Sequence, residues 1–190
     1  MKHVIRFVFI GLVVLIFSCN KETIVDTPTQ VGISKVTYYV VLTLKGPAFE
    51  SVLIGQPYVD SGATATENGK PTTYTTSGTV DVNTEGIYTI TYTAVNQDGY
   101  PSSITRNVAV ISTAPDPGVD LSGTYANVGS AALTADISKV APGVYFTSNC
   151  WGGSSSAVIQ AYFFCSDGIN ITLPVQKFSA YGTLDGAGTI

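Results

Sequence analysis

The segment Gly86-Ile87-Tyr88-Thr89-Ile90-Thr91-Tyr92-Thr93-Ala94 alternates with a period of two. Tyr88, Ile90, Tyr92 and Ala94 fall on one face of an extended chain, and Thr89, Thr91 and Thr93 on the other. A helical period would scatter the two sets, so the segment reads as a half-buried β-strand. Ile87 is the one apolar residue on the polar face, at the strand mouth. Asn96-Gln97-Asp98-Gly99 then supplies a hairpin turn into Ser103–Ile111, where Ile104, Val108 and Val110 alternate again. Arg106 lies on that same apolar face, which predicts a guanidinium reaching the edge of a sandwich. A hairpin with one apolar face needs a second sheet to cover it.

The surrounding chain supplies such a sheet. Val36–Leu44 is a run of strand formers stopped by Gly46-Pro47. Ser51–Ile54 is a short apolar stretch closed by Gly55-Gln56-Pro57, and Ala63–Thr66 leads to Asn68-Gly69, a tight-turn pair. The whole chain of 190 residues is only 12% charged and holds 11 Tyr, 19 Gly and 9 Pro. Aromatic and β-branched residues suit a pleated surface, and Gly and Pro suit turns. Short strands separated by turn signals at this spacing predict an all-β sandwich.

The N-terminus is different material. Lys2, His3 and Arg6 precede an apolar run from Phe7 to Phe17, which is shorter than the ~20 residues a bilayer span requires. It has the length of a signal-peptide core. The run ends in Leu15-Ile16-Phe17-Ser18-Cys19, which resembles the lipobox of bacterial lipoproteins, with Ile16 three places before the cysteine and Ser18 directly before it. Phe17 is bulkier than the usual residue there, as in the looser lipoboxes of the Bacteroidota. The resemblance implies cleavage before Cys19, a diacylglyceryl group on its thiol and an acylated amine. One acyl chain holds a protein only marginally, whereas several on one residue anchor it. Asn20 rather than Asp follows, so the usual signal for inner-membrane retention is absent. Lys21-Glu22 and Asp26 weakly resemble the charged export signal of surface lipoproteins and equally fit a solvated linker. The expected location is the outer membrane, on its periplasmic face or at the cell surface.

Cleavage would leave seven basic residues against 13 acidic ones, a formal −6. An acidic chain without a basic cluster has no footprint for nucleic acid. The single histidine, His3, departs with the leader. Catalytic triads, Cys–His pairs and histidine-bearing metal sites depart with it. Too few cysteines remain for a four-cysteine zinc site, and no phosphate-binding glycine loop is present. Calcium at Asp60, Glu67 or Asp98 has no supporting ligand spacing. The expectation is a non-enzyme without cofactors.

Tyr58-Val59-Asp60-Ser61-Gly62-Ala63-Thr64-Ala65, then Gly78-Thr79-Val80-Asp81, then Gly86-Ile87-Tyr88-Thr89-Ile90-Thr91-Tyr92 resemble a bacterial Ig-like module also found in some insecticidal crystal proteins. That module carries Y-x-D-x-G-A-x-A, G-x-V-D and G-x-Y-x-x-x-Y. The resemblance covers about residues 35–111 and implies a β-sandwich able to fold alone. Tyr88 precedes by two residues Ile90, which stands where antibody domains have their second cysteine. This is the tyrosine-corner arrangement, with the phenol bonding backbone upstream. Packing then ties the sheets in place of a disulfide.

The expected organisation is a signal peptide (1–18), a lipidated Cys19 and tether (19–33), an Ig-like sandwich (34–112), a Pro-stiffened linker (113–119) and a second small β domain (120–190). The last part resembles the β domain that follows the Ig-like module in Bacteroidota lipoproteins. Its expected strands are 121–125, 135–140, 143–147, 158–164 and 169–173. Gly186–Ile190 reads as the start of a strand, hence as a truncated C-terminus or an open edge.

Two functions fit: a spacer presenting the C-terminal domain for interaction with another envelope protein, and a carbohydrate-binding accessory lipoprotein. The aromatics Tyr145, Trp151 and Tyr162 are the candidate glycan-binding residues, with core filling as the competing role. Cys150 and Cys165 are the candidate disulfide. An oxidising compartment favours the bond. A hairpin turning in Gly152–Ser156 opposes it, because Cys150 would then face Val158, roughly seven residues along the ladder from Cys165 at ~3.3 Å each. A disulfide tolerates only ~7 Å between Cα atoms. For the anchor, metabolic labelling with a palmitate analogue should mark the wild type and not Cys19→Ala, which should accumulate as precursor; a labelled Cys19→Ala protein would refute acylation there.

Overall fold

The computed structural model describes residue 27 and residues 30–31, 34–150, 158–178 and 182–190. All regular structure among them is β, arranged in several sheets. The expected signal peptide, Cys19 and Trp151 lie outside the described residues. The chain divides after Tyr38. Before that point β1 (Gln30–Val31) and β2 (Ser34–Lys35) pair as a small antiparallel ladder, so Lys35 belongs to this ladder and not to the next strand.

Within Tyr39–Ile190, β3 (Val40–Leu44), β5 (Ala63–Glu67) and β6 (Lys70–Pro71) make one sheet. The facing sheet has the order β4-β9-β8-β7, from β4 (Phe49–Leu53), β9 (Pro101–Ile111), β8 (Gly86–Val95) and β7 (Thr75–Ser77). The β5–β6 turn is Asn68-Gly69, with φ of 48° and 74°. Positive φ at both positions is what a type I′ hairpin turn demands, and Asn-Gly meets it at little cost. Gly78, the first residue of the G-x-V-D stretch, is required by proximity: a Cβ there would lie 2.2 Å from the Thr89 carbonyl oxygen. Asp81 of the same stretch accepts the Asn83 amide at 3.0 Å and the Thr84 hydroxyl at 2.8 Å. The Thr84 carbonyl in turn accepts the Tyr88 phenol at 2.8 Å. One side-chain relay therefore shapes the turn that launches β8.

The alternation in β8 places Ile90, Tyr92 and Ala94 in the sandwich core. Ala63 and Ala65 of β5 leave room for the Tyr74 and Tyr92 rings, which meet edge-on at 5.8 Å. The Tyr74 hydroxyl takes the Ala63 amide at 3.3 Å.

The third sheet runs in chain order: β10 (Gly123–Asn127), β11 (Ser130–Ala141), β12 (Val144–Thr147), β13 (Ala161–Phe164), β14 (Asn170–Phe178) and β15 (Gly182–Thr189). It packs on the outer face of the β4–β9–β8 sheet. Ala109 and Ile111 share a buried cluster with Ala141, Val144 and Phe164, and Phe49, Leu53 and Ile87 pack against it. Ile87, the odd apolar residue on the threonine face of β8, is thereby explained. The Ser51 hydroxyl also donates to the Pro142 carbonyl at 2.8 Å. The run Val108-Ala109-Val110-Ile111 is buried without a break because β9 is covered on both faces.

The 113–119 segment is bonded rather than loose. Asp116 N donates to the Ser166 carbonyl at 2.8 Å, and the Ser166 hydroxyl donates to the Thr113 carbonyl at 2.9 Å. Val119 and Leu121 then lie over the far face of the third sheet, against Tyr145, Phe163 and Cys165. Tyr125 repeats the device seen at Tyr88: its phenol bonds the carbonyl of Leu121, four residues upstream, at 3.0 Å.

Two expectations are corrected here. Gly186–Ile190 does not start a strand: Gly186–Thr189 ends β15, whose pairing with β14 runs from Phe178↔Gly182 to Asn170↔Thr189. Three glycines and an alanine in Gly182–Thr189 dilute the alternation that would have shown it. Strand β11 also begins at Ser130, earlier than its apolar pattern indicates, because β10 and the start of β11 form an exposed hairpin with no core to encode. Because the second and third sheets share a core, truncating Ile111→Ala should cost about 2–4 kcal/mol and shift one common unfolding transition in urea. Two separable transitions by circular dichroism would show that the two halves fold independently.

Candidate functional site

The polar centre of the sandwich is Arg106, fully buried on β9. It does not reach the sandwich edge, as its place in the alternation predicts. The loops before β4 and β5 fold over it instead and satisfy it where it stands. Its Nη1 forms an ion pair with Asp60. Its Nε donates to the Pro47 carbonyl at 3.1 Å, and Nη2 to the carbonyls of Lys45 at 2.5 Å and Gly62 at 3.3 Å. Glu50 stands 3.9 Å from Nε. Tyr92 donates to Asp60 Oδ1 at 2.5 Å, Tyr58 donates to Glu50 Oε2 at 3.0 Å, and the guanidinium lies 5.9 Å from the Tyr92 ring centre. The Y-x-D-x-G motif and the last tyrosine of the G-x-Y-x-x-x-Y motif thus converge on one cation.

Burial pushes the Tyr58 phenol up to about 12, with Glu50 adding to the shift and Arg106 opposing it. Burial alone would raise Asp60, but the Tyr92 hydroxyl, the Gly62 amide and Arg106 outweigh it and hold the carboxyl below its usual 3.8. Among the described residues, no buried side-chain nitrogen or oxygen of this cluster lacks a hydrogen-bond partner. The carboxylates weighed for calcium are engaged separately, Asp60 by Arg106 and Glu67 by the Gln97 amide at 3.2 Å.

The candidate ligand residues separate by face. Tyr145 is fully buried, stacked on Phe163 at 5.4 Å, and donates to the Val119 carbonyl at 3.0 Å. It is corrected from a candidate binding residue to a core residue, since no sugar can reach its ring. Tyr162 faces the opposite way. It is half-buried, 5.3 Å from Phe146 on the neighbouring strand and 5.0 Å from Phe49 of β4. Trp151 lies outside the described residues.

Tyr162 and Phe146 belong to a groove of about 430 Å³ whose other side is the outer face of β8 and β9, with Thr89 and Asn107. Gln160 and Lys177 also line it. Its floor is held in an unusual way. Strands β13 and β14 are paired at Phe164↔Thr172, and at Tyr162 the Gln176 side chain takes over. The Tyr162 amide donates to Gln176 Oε1 at 2.8 Å, and Gln176 Nε2 donates to the Tyr162 carbonyl at 2.7 Å. Sequence reading missed Gln160 and Asn107 as neighbours of Tyr162, Asn107 because it comes from the other half of the chain.

Cys150 is an exposed free thiol and Cys165 a buried one. The candidate disulfide is therefore absent from the structure, for a geometric reason. Thr147 faces Ala161, Tyr145 faces Phe163 and the Cys150 amide donates to the Ile159 carbonyl at 2.7 Å, which leaves Cys150 several residues along the ladder from Cys165. Burial raises the Cys165 thiol above its ordinary value, which keeps it protonated.

Residues 42–110 match the family described as bacterial surface protein, Ig-like domain. The matched stretch is the sandwich built from β3 to β9, which has an Ig-like β-sandwich fold. The lipoprotein BT2262 from Bacteroides thetaiotaomicron is 27% identical, over 76% of this chain and 82% of that one, with a TM-score of 0.45. A structure of the M60 catalytic domain with the CBM51-1 and CBM51-2 domains of Clostridium perfringens ZmpB is 15% identical, over 73% of this chain and 15% of that one, with a TM-score of 0.37. No curated protein matches. The match to a bacterial surface family fits a cell-envelope location.

The Ig-like domain depends on the Arg106 cluster. Asp60→Asn should destabilise it by about 3 kcal/mol, the lower end for breaking a buried pair, because Asp60 keeps some exposure and the backbone carbonyls still solvate Arg106. A carboxyl whose folded pKa is lowered stabilises the fold above its unfolded value and loses that contribution as pH falls through the folded one. Wild-type stability should therefore drop below about pH 4 more steeply than that of Asp60→Asn. Parallel acid limbs in urea titrations would show that Asp60 is not the linked group.

Proposed function

We propose that this protein is a non-catalytic lipoprotein of the outer membrane, in which the Ig-like domain carries the C-terminal sheet as a rigid head for interaction in the envelope. The observation that carries this reading is the cluster of Ala109, Ile111, Ala141, Val144 and Phe164, which joins Ig-like strand to C-terminal sheet through packed side chains. A packed junction transmits position from the Ig-like domain to the head, where a flexible linker would not. An Ig-like fold by itself names no ligand.

A second reading, a carbohydrate-binding accessory lipoprotein, is favoured by one observation: Tyr162 and Phe146 present half-buried rings in an open groove whose lining includes Thr89, Asn107, Gln160 and Gln176. In both readings the membrane contact is the lipid on Cys19, and the protein has no nucleic-acid partner. Density-gradient fractionation of the producing cells should place the wild type with the outer membrane and leave Cys19→Ala out of that fraction. Wild-type protein recovered in the soluble periplasm, or with the inner membrane, would overturn the placement.

A further inference from the structure

We propose that the groove between the β8–β9 face and the β12–β14 sheet binds a neutral oligosaccharide, with the Ig-like domain supplying part of the site through Asn107. The inference rests on the carbohydrate reading above and adds to it the place, the charge class of the ligand and the residues.

The floor is aromatic and fixed. Phe146 and Tyr162 are paired directly across β12 and β13, and Tyr162 also packs against Phe49. Rings already clamped by one another lose little freedom when a ligand lands on them. The rim is polar and almost uncharged. Thr89 donates its hydroxyl to Asn107 Oδ1 at 2.9 Å, which fixes the amide and leaves its nitrogen without a partner among the described residues. Gln160 is exposed and lines the groove, and among the described residues Lys177 is the one charged side chain lining it.

These features select a chemistry. A pyranose has a face of C–H groups, which suits the electron-rich face of an aromatic ring. It also has a rim of hydroxyls that both donate and accept, which amides match in both senses. A polyanion would meet a single cation in an acidic chain. An extended peptide adding to a sheet needs an open strand edge, and β8, β9, β12, β13 and β14 are each paired on both sides. The volume of about 430 Å³ lies in the range of small-molecule sites.

The test is affinity electrophoresis of the full mature chain, made soluble by Cys19→Ser, in gels containing a mixed-linkage β-glucan, an arabinoxylan, an α-mannan or amylopectin, with polygalacturonate as the anionic probe. At least one neutral polysaccharide should retard the protein. Asn107→Ala should weaken that retardation about tenfold, the effect of losing one hydrogen bond in a site, and Tyr162→Ala should weaken it further. Tyr162→Ala also removes ring packing, so the Asn107→Ala and Gln160→Ala variants, which remove no aromatic contact and are checked by unchanged melting temperature, decide the case. Retardation that all three variants leave intact would put the glycan site elsewhere: this inference would fall and the carbohydrate reading stand. Mobility unaffected by every neutral polysaccharide would overturn both, and retardation by polygalacturonate alone would overturn the charge class.

Discussion

A guanidinium with no access to water must be surrounded by acceptors, and most of the Ig-like domain can be understood as the means of surrounding one. Arg106 draws backbone carbonyls from the loops around Lys45, Pro47 and Gly62 and carboxylates from Asp60 and Glu50. Those groups come from the segment between β3 and β4, from β4 itself and from the segment before β5. Loss of one partner leaves a charge without solvation, which is far more costly than loss of a surface pair. The cluster therefore specifies how the loops at this end of the sandwich close. Apolar packing alone, which is non-directional, would not.

The second organising constraint is the double burial of β9 and β4. Alternate residues of β9 serve different cores: Arg106, Val108 and Val110 look into the sandwich, and Ala109 and Ile111 look toward the C-terminal sheet. Strand β4 divides similarly, with Val52 inward and Phe49 and Leu53 outward. A β-strand can do this because its side chains alternate strictly between two faces. The same property makes the outer face of the Ig-like domain a wall of the groove beside Tyr162.

The sandwich was legible in the sequence because its signals are local. Alternation in Gly86–Ala94, the Asn68-Gly69 turn and the spaced Y-x-D-x-G motif each act within a few residues. Features that depend on distant partners were harder to read. Arg106 on an apolar face gave no sign that Asp60 and several carbonyls would converge on it. Tyr145 and Tyr162 look equivalent in sequence, yet their opposite parity along paired strands sends one into the core and the other into the groove. The β12–β13 register was readable from the Gly- and Ser-rich turn alone, and with it the separation of Cys150 from Cys165. The C-terminal strands were least legible, since Gly182–Thr189 is exposed almost throughout and carries little apolar pattern.

The side-chain clamp at Gln176 gives the third sheet a seam. Elsewhere in that sheet adjacent strands are joined by successive backbone pairs, and breaking one leaves its neighbours in place. At Tyr162 the join is two hydrogen bonds made by a single amide, and one χ rotation releases both. The strands on either side can then part by the width of a side chain without unzipping a ladder. In hydrogen-exchange terms, protection of the Tyr162 amide is set by a rotamer equilibrium rather than by strand melting. The seam runs beside the clamped rings of the groove floor, so the sheet is joined there by side-chain rather than backbone bonds.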